Sequence, residues 1–117
     1  MENTSKISSK RMPQAIGKAI LNSYIVYRCS NSWLSGYRLM SEGRDILLAT
    51  WSPGSFYPAI SALVEEGMLN RRKSPSKRLT YEYHTTPKGI EYLKYISKYF
   101  SHPEVKVFLT ALLEGKF

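Results

Sequence analysis

The sequence contains little of what catalytic, disulfide-stabilised or membrane-spanning proteins need. Cys29 is the only cysteine in the 117 residues, so an intrachain disulfide is excluded and a buried thiol is the expected role. No apolar run approaches the roughly 18 residues of a membrane span. His84 and His102 lie far apart, and no glycine loop with a following lysine offers a phosphate site. These absences argue against a metal site, a cofactor site and an enzyme.

Acidic residues are also scarce. Nine Asp and Glu residues face 17 Lys and Arg residues, which gives a formal net charge of +8 and a pI near 9.7. This balance favours an anionic partner such as nucleic acid, while membrane surfaces and acidic proteins stay open on charge alone. Residues 1–12 are polar and basic with no apolar signal core, which predicts a flexible basic arm and a cytoplasmic protein.

The rest of the chain predicts five helices. The first runs from about Pro13 to Cys29, and the second begins near Ser35 and ends at Gly43, with an apolar connector over residues 45–51. The third starts at Ser52 and stops at Gly67. Thr86 caps the fourth, and the capping-box pattern from Ser101 to Glu104 starts the fifth.

A basic hairpin is predicted between the third and fourth helices. Its strands are Leu69 to Lys73 and Arg78 to Thr85, joined by a turn that contains Pro75. Five cations are concentrated in this hairpin, or wing, where they can lie along a DNA backbone or enter a minor groove. They are Arg71, Arg72, Lys73, Lys77 and Arg78.

The third helix has two different faces. At 100° per residue, Phe56, Ile60 and Leu63 gather on an apolar face with Tyr57 at its edge, while the opposite face carries small residues. Small side chains allow close approach in a major groove about 12 Å wide. The predicted groove contacts are Ser52, Ser55, Tyr57, Pro58 and Ser61.

The chain resembles the PadR family of winged-helix transcriptional regulators around the third helix and the wing. The resemblance covers residues 13–100. It is carried by Gly36-Tyr37, Pro53-Gly54-Ser55-Phe56-Tyr57-Pro58-Ala59-Ile60, Leu63, Glu65-Glu66-Gly67-Met68, Tyr83 and Thr86-Pro87-Lys88-Gly89.

The resemblance implies a winged helix-turn-helix fold: mainly α, with a small β-hairpin wing, and a recognition role for the third helix. It also implies a homodimer, held largely by C-terminal helices, that reads a pseudo-palindromic operator. We therefore expect residues 13–100 to form the DNA-binding domain and residues 101–117 a dimerisation helix. The predicted dimerisation residues are Ile16, Ile20, Val105, Phe108, Leu109 and Leu112.

The sequence thus predicts a sequence-specific regulator of double-stranded DNA, most simply a repressor. A winged-helix module that binds a protein partner is the main alternative, MarR-like regulators are a neighbouring family of similar size, and a hydrolase or transferase is a weaker third reading. Aromatic residues such as Trp33, Trp51 and Tyr92 could line an effector pocket, but core packing is the better expectation.

Overall fold

A computed structural model describes residues 14–47, 53–75 and 80–117. The predicted basic arm, the Ser52 cap and the wing residues Lys77 and Arg78 lie outside these ranges. The described elements, in chain order, are α1 (Gln14–Arg28), β1 (Leu34–Ser35), α2 (Gly36–Leu47), α3 (Pro53–Glu65), β2 (Leu69–Lys73), β3 (Tyr81–Thr85), α4 (Pro87–Phe100) and α5 (Pro103–Glu114).

The core lies where α1, α2 and α3 meet one face of the sheet. Its largest fully buried side chains include Phe56, Ile25, Leu39 and Ile60. Cys29 is buried in the same cluster, as expected, and burial raises the pKa of its thiol to about 12. This arrangement, three helices with a small antiparallel sheet, confirms the winged-helix prediction.

The sheet has three strands in the order β1-β3-β2, all antiparallel. The hairpin was predicted, but β1 was not, because two residues carry no alternation to detect. Leu34 pairs with Tyr83 and Ser35 with Glu82. The strand therefore ties the start of α2 to the base of the wing.

Two predicted helix boundaries are wrong. Gly43 does not end α2 but is buried within it, and the helix continues to Leu47, so the connector predicted from Asp45 begins as helix. Ser101 does not cap α5: its hydroxyl donates to the Ser97 carbonyl at the end of α4. His102 is the cap, and its Nδ1 accepts a hydrogen bond from the Glu104 amide.

The junction between α3, the sheet and α4 is closely tied. Gly67 adopts a positive φ of 79°, which glycine reaches without strain. The Thr86 hydroxyl accepts from the Gly89 amide and donates to the Gly67 carbonyl, and Lys88 Nζ donates to the Glu66 carbonyl at 2.7 Å. The predicted Thr86 cap is therefore confirmed, and it serves two helices.

The sequence of α1 predicts an apolar stripe of Ile16, Ala19, Ile20, Ser23 and Tyr27, widened by Leu21 and Ile25, and the two widening residues lie in the core. Ile16 and Tyr27 are exposed, whereas Leu21, Ile25 and Val26 are buried. Near the end of α1, Arg28 forms a two-pronged ion pair with Glu42 of α2, at 2.8 and 3.0 Å, and Arg38 adds a third bond at 3.1 Å. This network joins α1 to α2, and hydrogen bonding from Arg28 lowers the pKa of Glu42.

Candidate nucleic-acid interface

The small-residue face of α3 is exposed. Ser55, Pro58 and Ser61 lie on the surface, while Phe56, Ile60 and Leu63 are buried on the opposite face. Pro53 begins the helix, where its missing amide proton leaves no bond unmade. The helix therefore presents to solvent a surface with few bulky side chains, as the sequence predicted.

Tyr57 lies at the border between the two faces. Its ring packs edge-on against Phe56, with centroids 5.7 Å apart, and 39% of the residue is exposed. Gly36, at the start of α2, is the reason the ring fits: a Cβ there would lie 2.9 Å from Tyr57 Cε1. Tyr57 is thus held by packing while part of it faces solvent.

An open groove of about 530 Å³ runs between the start of α2, α3 and the wing. The wing closes its far side, where the Ser74 amide donates to the Thr80 carbonyl at 2.8 Å. Tyrosines dominate the lining, which combines ring surface with hydroxyl groups that can donate to an anion. The lining residues are Ser35, Gly36, Tyr37, Tyr57, Ser74, Thr80, Tyr81, Glu82 and Tyr83.

The described wing cations divide between the two faces of the sheet. Arg71 pairs with Tyr83 and Lys73 with Tyr81, so both lie on the face that carries the groove tyrosines. Arg71 places its guanidinium 4.3 Å from the Tyr81 ring centroid. Both cations are exposed, so they put positive charge on the sheet face that carries Tyr81 and Tyr83.

Arg72 lies on the opposite face, and other residues of the chain engage it. Its guanidinium lies 4.2 Å from the Trp33 ring centroid and forms a 3.0 Å ion pair with Glu82. The Trp33 ring also contacts His84, with centroids 5.2 Å apart. Sequence reasoning grouped Arg72 with the other cations, because strand alternation alone does not reveal which partners a side chain meets.

The predicted dimerisation residues divide between exposed and half-buried positions. Ile16, Phe108 and Leu112 are exposed, and Ile20, Val105 and Leu109 are half-buried. In α5 no residue is buried, although most of its side chains are apolar. Helix α4 contacts both α1 and α5, so the apolar residues of all three helices lie on adjoining elements.

The described residues were also searched for metal-ligand groups and for membrane-spanning helices. No group of three or more potential ligands comes together in residues 14–47, 53–75 and 80–117. None of the helices described there is long and apolar enough to cross a membrane.

Comparison with known proteins supports the PadR resemblance through structure rather than sequence. A PadR-like transcriptional regulator from Bacillus cereus is 25% identical, with a TM-score of 0.71 over 85% of this chain and 96% of its own. A Streptococcus mutans protein is 23% identical, with a TM-score of 0.69 over 86% of this chain and 92% of its own.

A PadR family transcription regulator from Clostridium difficile shares the fold at 15% identity. Its TM-score is 0.64, over 80% of this chain and 98% of its own. No family model and no curated protein matches the sequence. The chain is therefore PadR-like in fold, and the PadR-family neighbours are transcriptional regulators rather than enzymes.

Proposed function

We propose that this protein is a homodimeric transcriptional repressor that binds specific sequences in double-stranded DNA. The coarser statement, that it is a DNA-binding transcription regulator, is supported by its likeness to PadR-family regulators. The observation that carries the proposal is the exposed small-residue face of α3 beside a groove lined by Tyr81 and Tyr83, the strand partners of the exposed Lys73 and Arg71.

Helix α3 enters the major groove in this proposal. Ser55 and Ser61 are exposed and can bond to bases or phosphates, and Pro58 can contact thymine methyl groups. Tyr57 is held against Gly36, so its position is fixed before DNA arrives. Ser52, one residue before the helix, belongs to the same proposed surface.

The wing supplies most of the charge that meets the DNA backbone. Arg71 and Lys73 lie on the groove side of the sheet, and Lys77 and Arg78 follow in the sequence. Phosphate contacts of this kind fix register and affinity but do not read sequence. We therefore propose that the wing dominates affinity and the start of α3 dominates specificity.

Dimerisation in this proposal buries the apolar residues of α5 together with Ile16 and Ile20 of α1. Phe108 is 58% exposed and Val107 71% exposed, and exposed apolar area of this kind favours an interface. A two-fold dimer would present two α3 helices to half-sites about one DNA turn apart. Ile16 and Ile20 would join the contact from α1.

Duplex binding at two salt concentrations tests the DNA proposal. Anisotropy of a labelled random duplex should show affinity falling about 10³- to 10⁵-fold between about 50 and about 200 mM salt, because each neutralised phosphate releases counterions. Arg71→Ala should weaken binding to all sequences alike, whereas Lys94→Ala, an equal charge change on α4, should not. Absent or salt-insensitive binding by the wild-type protein would reject DNA as the partner.

Selection of duplexes from a random pool tests specificity and symmetry. The recovered sequences should be pseudo-palindromic, and Ser55→Ala with Ser61→Ala should broaden them while leaving the salt dependence unchanged. Transcription in vitro from a promoter that overlaps the recovered site then separates repression, which we expect, from activation.

A protein-interaction module is the second candidate, because the exposed apolar face of α5 fits a partner protein as well as a second copy. Sedimentation separates the two readings. A monomer at micromolar concentration that does not bind duplex DNA would favour the interaction module.

A further inference from the structure

The face of the wing sheet opposite Arg71 and Lys73 carries a second cluster of side chains, of which Glu82 also borders the groove. Trp33 lies just before β1, opposite His84 in the extended register, while Arg72 pairs with Glu82. The Trp33 ring contacts the Arg72 guanidinium and the His84 ring, at 4.2 and 5.2 Å between centres. We call Trp33, Arg72, Glu82 and His84 the outer cluster.

Each contact in the outer cluster joins a different pair of strands. Trp33 belongs to the segment that enters β1, Arg72 to β2, and Glu82 and His84 to β3. Arg72 makes two contacts at once, since it stacks on Trp33 and donates to Glu82 at 3.0 Å through Nε. A planar guanidinium can stack and bond in its plane together, whereas a lysine ammonium cannot.

His84 is held as well. Its Nδ1 lies 3.0 Å from the Thr85 carbonyl, and the Thr85 hydroxyl donates to the Val26 carbonyl of α1. The outer cluster is therefore linked to the helical core at one end and reaches β2 at the other. β2 also carries Arg71 and Lys73, which alternate with Arg72 and lie on the groove side.

We propose that the outer cluster is a brace that sets the direction of the wing, so that Trp33 and Arg72 act as positioning residues for the phosphate contacts of Arg71 and Lys73. This inference rests on the proposed DNA binding. Arg72 then contributes through the strand that it holds, not through a phosphate. β1 pairs only with Tyr83 and Glu82 of β3, so the contact from Trp33 to Arg72 adds a hold on β2 from outside the hairpin.

Salt dependence distinguishes a brace from a direct contact. Trp33→Leu removes no charge, yet it should weaken duplex binding about 10-fold. It should also reduce the steepness of log affinity against log salt by about two, because each protomer loses about one phosphate contact. A loss of folded protein would lower the active fraction without changing that slope. Trp33→Phe keeps an aromatic face and should restore most of the affinity and most of the salt dependence.

Arg72→Lys is the second test, at an exposed side chain whose replacement leaves the core intact. It keeps the charge but breaks the stack, so affinity and slope should both fall. Arg71→Lys, the same change one residue earlier on the groove face, should keep the slope. Thermal melting of each variant checks that the fold is retained.

The outcomes separate the two proposals. If the wild-type protein shows no salt-dependent duplex binding, the proposed function itself fails. If the wild type binds, but Arg72→Lys keeps full affinity and slope, then Arg72 is a direct phosphate contact or a bystander and the brace is rejected. An unchanged slope in folded Trp33→Leu would reject it as well.

Discussion

Helices α3 and α5 have nearly the same length, 13 and 12 residues, and both are rich in apolar side chains, but they differ in burial. α3 buries Phe56, Ile60 and Leu63 against α1, α2 and the sheet. α5 packs mainly on α4 and buries none of its residues, with Leu113 88% exposed. Apolar content therefore shows that a helix needs a neighbour, while only the fold shows whether that neighbour lies within the same chain.

The largest expected effect comes from the buried side of this comparison. Phe56→Ala leaves a cavity beneath α3 and should lower the free energy of unfolding by about 3–5 kcal/mol. Urea denaturation followed by circular dichroism measures it. The loss should not depend on protein concentration, and a loss below about 1 kcal/mol would mean that α3 is not packed as described.

The matched change on the open side is Phe108→Ala in α5. We expect little change in the stability of the monomer, because the ring is mostly exposed. The dimer should dissociate about 10- to 100-fold more readily, since each protomer loses the burial of one aromatic ring. Sedimentation equilibrium gives the dissociation constant. An unchanged dissociation constant would mean that Phe108 does not lie in the dimer interface.

A smaller effect is expected from the ion pair that holds α1 to α2. The pKa of Glu42 is lowered by its bond to Arg28, so its carboxylate stabilises the fold above the pKa of the unfolded chain. That contribution is lost as the pH falls through the lower folded-state value. Glu42→Gln should cost about 1–2 kcal/mol at neutral pH. The difference in the free energy of unfolding between variant and wild type should disappear in acid, which unfolding titrations at several pH values can measure.

The smallest effect is a chemical one at Cys29. Burial raises the pKa of the thiol to about 12, so almost no thiolate is present at pH 8 and the sulfur is also shielded. Reaction with a thiol reagent should be far slower than in the unfolded protein. Phe56→Ala should speed the reaction, whereas Phe108→Ala should not, because only the first opens the core. Equal rates would show that the two helices are not energetically separate.

The features that follow from local chemistry were predicted from the sequence. The Thr86 cap depends on residues within one helical turn, and the helix stop at Gly67 needs only a residue that adopts a positive φ. The local sequence is therefore enough to predict both boundaries. Ser35 likewise caps α2 through its hydroxyl, which accepts from the Arg38 amide at 3.1 Å.

The errors arose where another interaction, local or distant, competes with the signal read from the sequence. Gly43 can end a helix, but here it is buried and α2 continues past it. Ser101 has the sequence of a cap, yet its hydroxyl already bonds to Ser97. The contact between Trp33 and Arg72 joins residues far apart in sequence, and no periodicity within either segment encodes it. The predicted DNA-binding and dimerisation residues stay predictions.

The double tie made by Thr86 and Lys88 has a mechanical consequence. Both side chains belong to the start of α4 and bond to carbonyls at the end of α3, so the two helices are joined without a slack linker. In a dimer built through α5, which packs on α4, this joint would transmit motion from the subunit contact to α3. A small tilt at the subunit contact would change the distance between the two α3 helices. The change would be larger the farther the α3 helices lie from that contact.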